Sequence, residues 1–226
     1  PRTETMELGL HFDRLDDTAH DFRLVDASGQ PVAYQVLEHR DHFDAEVIKA
    51  NRRHEVRVAL PVEALPACGY RVYFAQPDAV AQEIEDPVQR LPNGMENQHL
   101  RVEITTDGSI NVLDKTTGQV FRQLGYFSDD EDVGDEYDYS PCPNPLNLSS
   151  LDRPARVEVV HEGPLQVTYR ITTGMRLPVS LSEDRARRRT EVVDCPITTA
   201  LTLRWDSRIL DMRSTVHNQA KDHRLR

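Results

Sequence analysis

No apolar run in the chain extends beyond a few residues, far short of the ~20 that a spanning helix needs, which excludes a membrane-spanning helix. Cysteine is scarce: Cys68, Cys142 and Cys195 are the three present, too far apart for a Cys-x-x-Cys chelate and too few for a disulfide framework. Free thiols in a reducing compartment, the cytoplasm, are the expectation. Bases are outnumbered, 27 Lys and Arg against 38 Asp and Glu for a formal net charge of -11. That argues against nucleic-acid phosphates as a main partner, because backbone binding needs clustered cations. A cation, a sugar or another protein suits the balance better. Also missing are a Gly-x-Ser-x-Gly turn, a glycine-rich phosphate loop and internal repeats, so neither the nucleophile-elbow nor the phosphate-cradle chemistry has its residues here. What remains is an acidic chain whose 226 residues suffice for one large domain or two small ones.

Helical periodicity is equally scarce, and period two takes its place. Met6, Leu8, Leu10 and Phe12 alternate with polar residues, as do Val32, Tyr34 and Val36; Val56, Val58 and Leu60; and Leu100, Val102 and Ile104. The pattern returns at Leu165, Val167, Tyr169 and Ile171, then over 197–205 and 209–216. Alternation of this kind marks strands with one buried face. Turn chemistry separates them at Asp26-Ala-Ser-Gly29, Asp107-Gly108, Asp114 to Gly118 and Glu162-Gly163-Pro164. The expectation is an all-β chain, an antiparallel β-sandwich preceded by a small β domain. Residues 78–95 hold Pro87, Pro92 and Gly94 without sustained alternation and read as a linker between a small domain, 1–77, and a larger one, 96–226. The single helical suggestion is Pro61 to Leu65, with proline suited to a first helical position. Pro1 is not an initiator methionine, and His223 to Arg226 looks like the opening of a strand, so a piece of a larger protein is expected.

The most unusual segment is Ser128 to Pro141. Seven acids fall within the ten residues 129–138, and without them the net charge of -11 would be -4. A solvated acidic loop is the plain reading. Against it, Tyr126, Phe127, Tyr137 and Tyr139 are interleaved with the acids, and Pro141, Pro143 and Pro145 stiffen the next stretch of chain. Asp130, Asp132 and Asp135 offer oxygens to calcium, but the register of a twelve-residue calcium loop is absent. Flat aromatic faces beside carboxylates suit a sugar, whose hydroxyls donate to the acids. A second cluster, Ser182 to Arg189, holds four arginines in five positions; it reads as an exposed hairpin tip, or as the neutralising partner of the acidic segment through charge-assisted bonds. Tyr70 and Tyr73 read as packing residues of a strand. The nine histidines are scattered; none makes a close ligand pair with a carboxylate except His39, His42 and Asp44, and zinc would still lack ligands.

Glu96-Asn97, Leu100 to Ile104, Asp107-Gly108, Asp114-Lys115, Gly118 and Gly134-Asp-Glu-Tyr-Asp-Tyr-Ser-Pro141 together resemble the middle of glycoside hydrolase family 38 α-mannosidases, particularly the bacterial mannosylglycerate hydrolase branch. Ser180 to Arg185 and Asn218 to Arg226 are similar to the same family's later β region, and Leu65 to Tyr70 to its strand before the linker. The resemblance implies a super-sandwich, galactose-mutarotase-like β domain. It also implies a parent enzyme that is a retaining, zinc-dependent glycosidase acting on mannose-containing substrates. The zinc, the nucleophile and the pair of carboxyl groups that retaining hydrolysis holds about 5 to 5.5 Å apart would belong to an N-terminal catalytic barrel of the same polypeptide, outside these residues. No cofactor and no catalytic residue is expected within the chain itself. What the resemblance assigns here is a substrate-site loop: Tyr137 is the best match for a substrate-contacting tyrosine and Tyr139 the neighbouring alternative, with Asp135, Glu136 and Asp138 orienting the loop or polar substrate groups. A stand-alone carbohydrate-binding module and a structural spacer are the competing readings.

Overall fold

The computed structural model describes residues 2–13, 22–44, 51–77, 84–135 and 137–226, and within them every paired strand runs antiparallel to its neighbours. The first two sheets come from the first third of the chain. Strands β1 (Arg2–Asp13), β2 (Phe22–Asp26), β3 (Pro31–Val32), β4 (Gln35–Asp44), β5 (Asn51–Leu65) and β6 (Tyr73–Pro77) form one sheet in the order β1-β5-β4 and another in the order β3-β2-β6. Their inward residues are the alternating ones: Val56, Val58, Leu60 and Val62 from β5 close on Phe22 and Leu24 from β2, with Met6, Leu8, Leu10 and Phe12 of β1 and Tyr73 of β6 around them.

The stretch 61–65, read as a helical start, is instead the end of β5, where Pro61 sits opposite Thr5 and buried Val62 opposite Glu4. Strand β4 pairs with β5 only as far as Ala59. Beyond that point one side of β5 is an open edge, where a residue without an amide hydrogen is tolerated.

The sandwich starts inside the stretch read as linker. Strands β7 (Gln89–Leu91) and β8 (Gly94–Glu96) occupy its last residues and join β9 (Leu100–Ile104), β10 (Ile110–Asp114) and β11 (Val120–Leu124) in a five-stranded sheet ordered β11-β10-β9-β8-β7. Residues 78–83 lie outside the described residues. After β12 (Ser128–Glu131) and β13 (Leu148–Ser149) come β14 (Arg156–His161), β15 (Gln166–Pro178), β16 (Val192–Arg204), β17 (Leu210–Val216) and β18 (His223–Leu225). Strands β14 to β17 form a four-stranded meander. Met95, Val102, Ile104 and Ile110 of the first layer meet Val167, Tyr169, Ile171, Leu201 and Leu203 of the second in one apolar core, the arrangement expected of two sheets packed face to face.

Strands β15 and β16 are 13 residues each and outrun that core. Their far ends, with Met175, Leu177, Cys195 and Ile197, pack on a third sheet ordered β13-β12-β18, through Phe127, Leu148 and Leu225. Cys142 and Cys195 are buried free thiols and Cys68 is an exposed one.

The N-terminal sheets are tied to the sandwich by a side chain that imitates a strand. Buried Gln35 accepts the backbone N–H groups of Leu165 and Gln166 at 2.9 Å through Oε1 and donates through Nε2 to the Gln166 carbonyl at 3.0 Å. Gly163 makes room for it, since a Cβ there would stand 2.4 Å from the Gln35 carboxamide carbon. Glu7 adds to the seam by accepting from Gln166 Nε2 at 3.3 Å and pairing with Arg204 at 3.6 Å. Replacing Gln35→Ala strips two buried amides of their acceptor, so urea denaturation should show a loss of about 1–3 kcal/mol.

Candidate functional site

The acidic segment splits into a buried half and an exposed half. Asp129, Asp130 and Glu131 are 1%, 6% and 1% exposed, inside strand β12, which pairs with β18 on one side and β13 on the other. This departs from the reading of the whole run as a solvated or sugar-facing loop. Three consecutive carboxylates can leave water only with counter-charges and hydrogen bonds at hand. Asp129, whose side chain is fully buried, accepts from Arg188 through Oδ1 and from His223 Nδ1 through Oδ2. His223 also places Nε2 3.0 Å from Asn218 Oδ1, and that oxygen already accepts the Ala220 N–H. An oxygen thus stands at each ring nitrogen, which fixes the orientation of the ring.

Asp130 takes Arg224 as a fork, at 3.3 and 3.1 Å, and Arg226 at 2.7 Å. Burial works against its ionisation, yet the Arg224 hydrogen bond and the charges of Arg224 and Arg226 outweigh it and hold the carboxyl below its ordinary value. Glu131 accepts the Leu146 N–H at 3.0 Å. The charge of Asp129 reaches Cys195 too, where burial first and that charge second push the thiol up.

The arginine cluster, expected as an exposed tip or as the neutraliser of the acids, is both. A bridge between Leu181 and Arg188 closes a hairpin in which Arg188 turns inward while Arg185 reaches the loop beyond β12, donating to the Gly134 carbonyl at 3.4 Å and pairing with Asp222 at 3.7 Å. The segment of Pro141, Pro143 and Pro145 runs along this hairpin, with Asn144 Nδ2 donating to the Ala186 carbonyl at 3.2 Å.

Beyond Glu131 the chain comes out as a closed loop. Asp132 Oδ1 accepts the N–H groups of Gly134 and Ser140, at 2.8 and 3.0 Å, and the Val133 N–H reaches the Ser140 carbonyl. Gly134 is required by that closure, because a Cβ would lie 1.7 Å from the Asp138 carbonyl oxygen. At the tip Asp135 Oδ1 accepts the N–H groups of Tyr137 and Asp138, both at 2.9 Å, and these two backbone bonds hold its carboxyl below the ordinary value. Tyr137 is 85% exposed, and Asp135 and Asp138 are exposed beside it. Tyr139 is 40% exposed and lies under the Arg224 guanidinium, 3.4 Å from its ring centroid. Of the expected site residues, Tyr137, Asp135 and Asp138 therefore share the tip, Tyr139 is pinned at its base, and Glu136 lies outside the described residues.

The carboxylates weighed for calcium have other partners: Asp130 its arginines, Asp132 and Asp135 the loop's own amides. His39 Nδ1 stands 3.0 Å from His54 Nε2, and the side chains of His42 and Asp44 lie outside the described ones. Among the described residues no three His, Cys, Asp or Glu side chains converge as a metal site would require; the zinc that the resemblance implies is expected outside these residues. Sequence reasoning missed His223, Arg224 and Arg226. Their signal is a short run of basic residues, His223-Arg224-Leu225-Arg226, that can pair with a short strand of acids.

The same arrangement of sheets recurs in solved proteins. A glycosyl hydrolase family 38 protein from Enterococcus faecalis superposes with a TM-score of 0.84 at 24% identity, over 99% of this chain and 30% of that one. An alpha-mannosidase from Enterococcus faecalis V583 gives 0.77 at 22% identity, over 99% and 29%. These likenesses define the fold, a β region carried within larger glycosyl hydrolases. Residues 95–226 match the family model of the glycosyl hydrolases family 38 C-terminal domain, and the chain belongs to that family. A mannosylglycerate hydrolase-like protein of Halalkalibacterium halodurans is 30% identical over 175 residues, 70% of this chain and 19% of that protein. The chain thus spans less than a third of the length of these relatives.

Two measurements test the buried charges. Arg188→Ala leaves Asp129 buried with one counter-charge fewer, and chemical denaturation should register a loss of about 3–5 kcal/mol. Because the Asp130 pKa is depressed in the folded state, its contribution is complete above the ordinary value of 3.8 and fades as pH falls through the lower folded value. Acid titrations of melting temperature should therefore drop less steeply below that pH for Asp130→Asn than for the unmodified chain; parallel curves would refute the coupling.

Proposed function

We propose that the chain is the non-catalytic β portion of an α-mannosidase-like glycoside hydrolase, working in the cytoplasm, and that its loop 132–140 completes the substrate site of a catalytic barrel in the same polypeptide. Residues 1–77 would be a small β domain and 96–226 the body of the sandwich, joined through 78–95, whose last residues already form strands β7 and β8 of the sandwich sheet. The barrel would supply the zinc and the carboxyl groups of a retaining reaction; this chain would supply contacts. Membership of family 38 supports the enzyme class, and among the described residues no helix is long and apolar enough to cross a membrane.

The observation that carries the loop's role is its construction. A base fixed by Asp132, Arg185 and the Arg224–Tyr139 stack presents a tip on which Tyr137 is 85% exposed. Ordering an aromatic residue at the end of a loop costs conformational entropy, and a phenol that both donates and accepts is suited to a sugar hydroxyl. Asp135, its carboxyl ionised and turned to the loop amides, would orient the tip, and the resemblance gives Glu136 and Asp138 the same role, orienting the loop or polar substrate groups. The substrate would be a mannose-containing saccharide.

In the full-length enzyme, Tyr137→Phe should lower kcat/KM on an aryl α-mannoside by about five-fold or more, the effect of one lost hydrogen bond of ~1 kcal/mol. Unchanged kcat/KM would remove Tyr137 from the site. The same fall for Tyr139→Phe alone would move the contact to Tyr139.

A further inference from the structure

Where the N-terminal sheets meet the sandwich, a cleft of about 340 Å³ opens, within the size range of small-molecule sites. Its polar lining is Asp26, Glu63, Arg71 and Glu85, and its aromatic lining is Tyr73 and Trp205. The walls are held in place by bonds that leave binding groups over. Trp205 Nε1 donates to the Glu85 carbonyl at 3.0 Å and the Trp205 N–H to the Leu165 carbonyl at 2.7 Å, which fixes the indole at the end of β16. Asp26 accepts Ser28 N–H, Ser28 Oγ and Gln30 N–H, all on Oδ1, at 2.7 to 2.9 Å, so among the described residues Oδ2 stays available. Among the described residues Arg71 donates one bond, from Nη2 to the Ala64 carbonyl at 3.2 Å, and keeps the rest of its five donors. Burial pushes the Tyr73 phenol up, leaving it a neutral donor and acceptor. A second hollow, of about 560 Å³, shares Asp26, Arg71 and Tyr73 and continues past Tyr70, which is 82% exposed.

The charge pattern narrows the ligand. An anion would face three carboxylates, and a cation would face the Arg71 guanidinium. An uncharged polyol uses both kinds of group, since each hydroxyl can donate to a carboxylate and accept from a guanidinium. The tyrosine and tryptophan faces offer apolar surface to the C–H side of a pyranose ring. We propose that this cleft binds a neutral saccharide, one ring between Tyr73 and Trp205 and a second extending toward Tyr70, with hydroxyls shared among Asp26, Glu63, Glu85 and Arg71. The proposal does not depend on the role given to the 132–140 loop.

Trp205 is the single tryptophan of the chain, so its fluorescence reports on this cleft directly. Titration of the 226-residue chain with methyl α-mannoside, α-mannobiose and maltose should give a saturable change, tighter for a disaccharide than for the monosaccharide. Arg71→Ala and Glu63→Gln, both at exposed side chains, should each raise Kd by about five-fold or more, as loss of one hydrogen bond does, with melting temperatures unchanged. Tyr137→Phe should leave Kd where it was. Absence of a saturable response to all three sugars overturns the proposal. So does a Kd unmoved by both cleft variants, a Kd raised by Tyr137→Phe instead, or a saturable response to lysine or inorganic phosphate in place of the sugars.

Discussion

The burial of Asp129 between Arg188 and His223 is the interaction on which the loop end of the molecule depends. A carboxylate with no exposed surface is tolerated only while its partners are in reach, because an unpaired buried charge costs several kcal/mol. Arg188 comes from the hairpin after β15 and His223 from β18, so a single acid joins three segments that are far apart in sequence. Asp130 repeats the device with Arg224 and Arg226. The third sheet is therefore held by charge as well as by its backbone ladder, and its apolar contribution, through Phe127, Leu148 and Leu225, is small beside that of the main sandwich.

This arrangement also divides stiffness from exposure along one stretch of ten residues. Up to Glu131 the chain is strand and buried; past Asp132 it is a loop closed by its own carboxylates. Arg224 links the halves, since the guanidinium that neutralises Asp130 also stacks on Tyr139. Tyr137 is thereby carried on a short, internally bonded support, and regions of this kind place binding groups on a rigid scaffold. At the opposite seam, Gln35 and Gly163 fix the N-terminal sheets against the start of β15, which sets Trp205 and Tyr73 across one cleft. Both surfaces arise from side chains that satisfy backbone groups at junctions between sheets.

Much of the fold was legible in the sequence. The period-two runs at 6–12, 56–60 and 100–104, and that at 165–171 from Gln166 onward, lie on strands with their apolar side toward a core, because a pleated strand with one wet face has no other way to arrange its residues. The family resemblance, carried by residues 96–141 and 180–226, agrees with the match over 95–226. Less legible were β7 and β8, three residues each, too short for alternation to show. Pro61 to Leu65 misled because proline suits both a first helical turn and an open strand edge. In the acidic run, composition could flag the segment but not divide it, since a carboxylate in water and one against a guanidinium are the same letter.

The sequence by itself determined an all-β, antiparallel, acidic chain of family 38, with an aromatic-studded acid cluster and an arginine cluster that could answer it. Those are properties of local periodicity and of residue identity. Only the tertiary structure decided which acids are buried, that Arg188 faces inward while Arg185 faces the loop, and that His223, Arg224 and Arg226 complete the set. Burial and pairing depend on which distant strands become neighbours, and for β12 and β18 that was settled by packing across some ninety residues of intervening chain, beyond the reach of any local pattern.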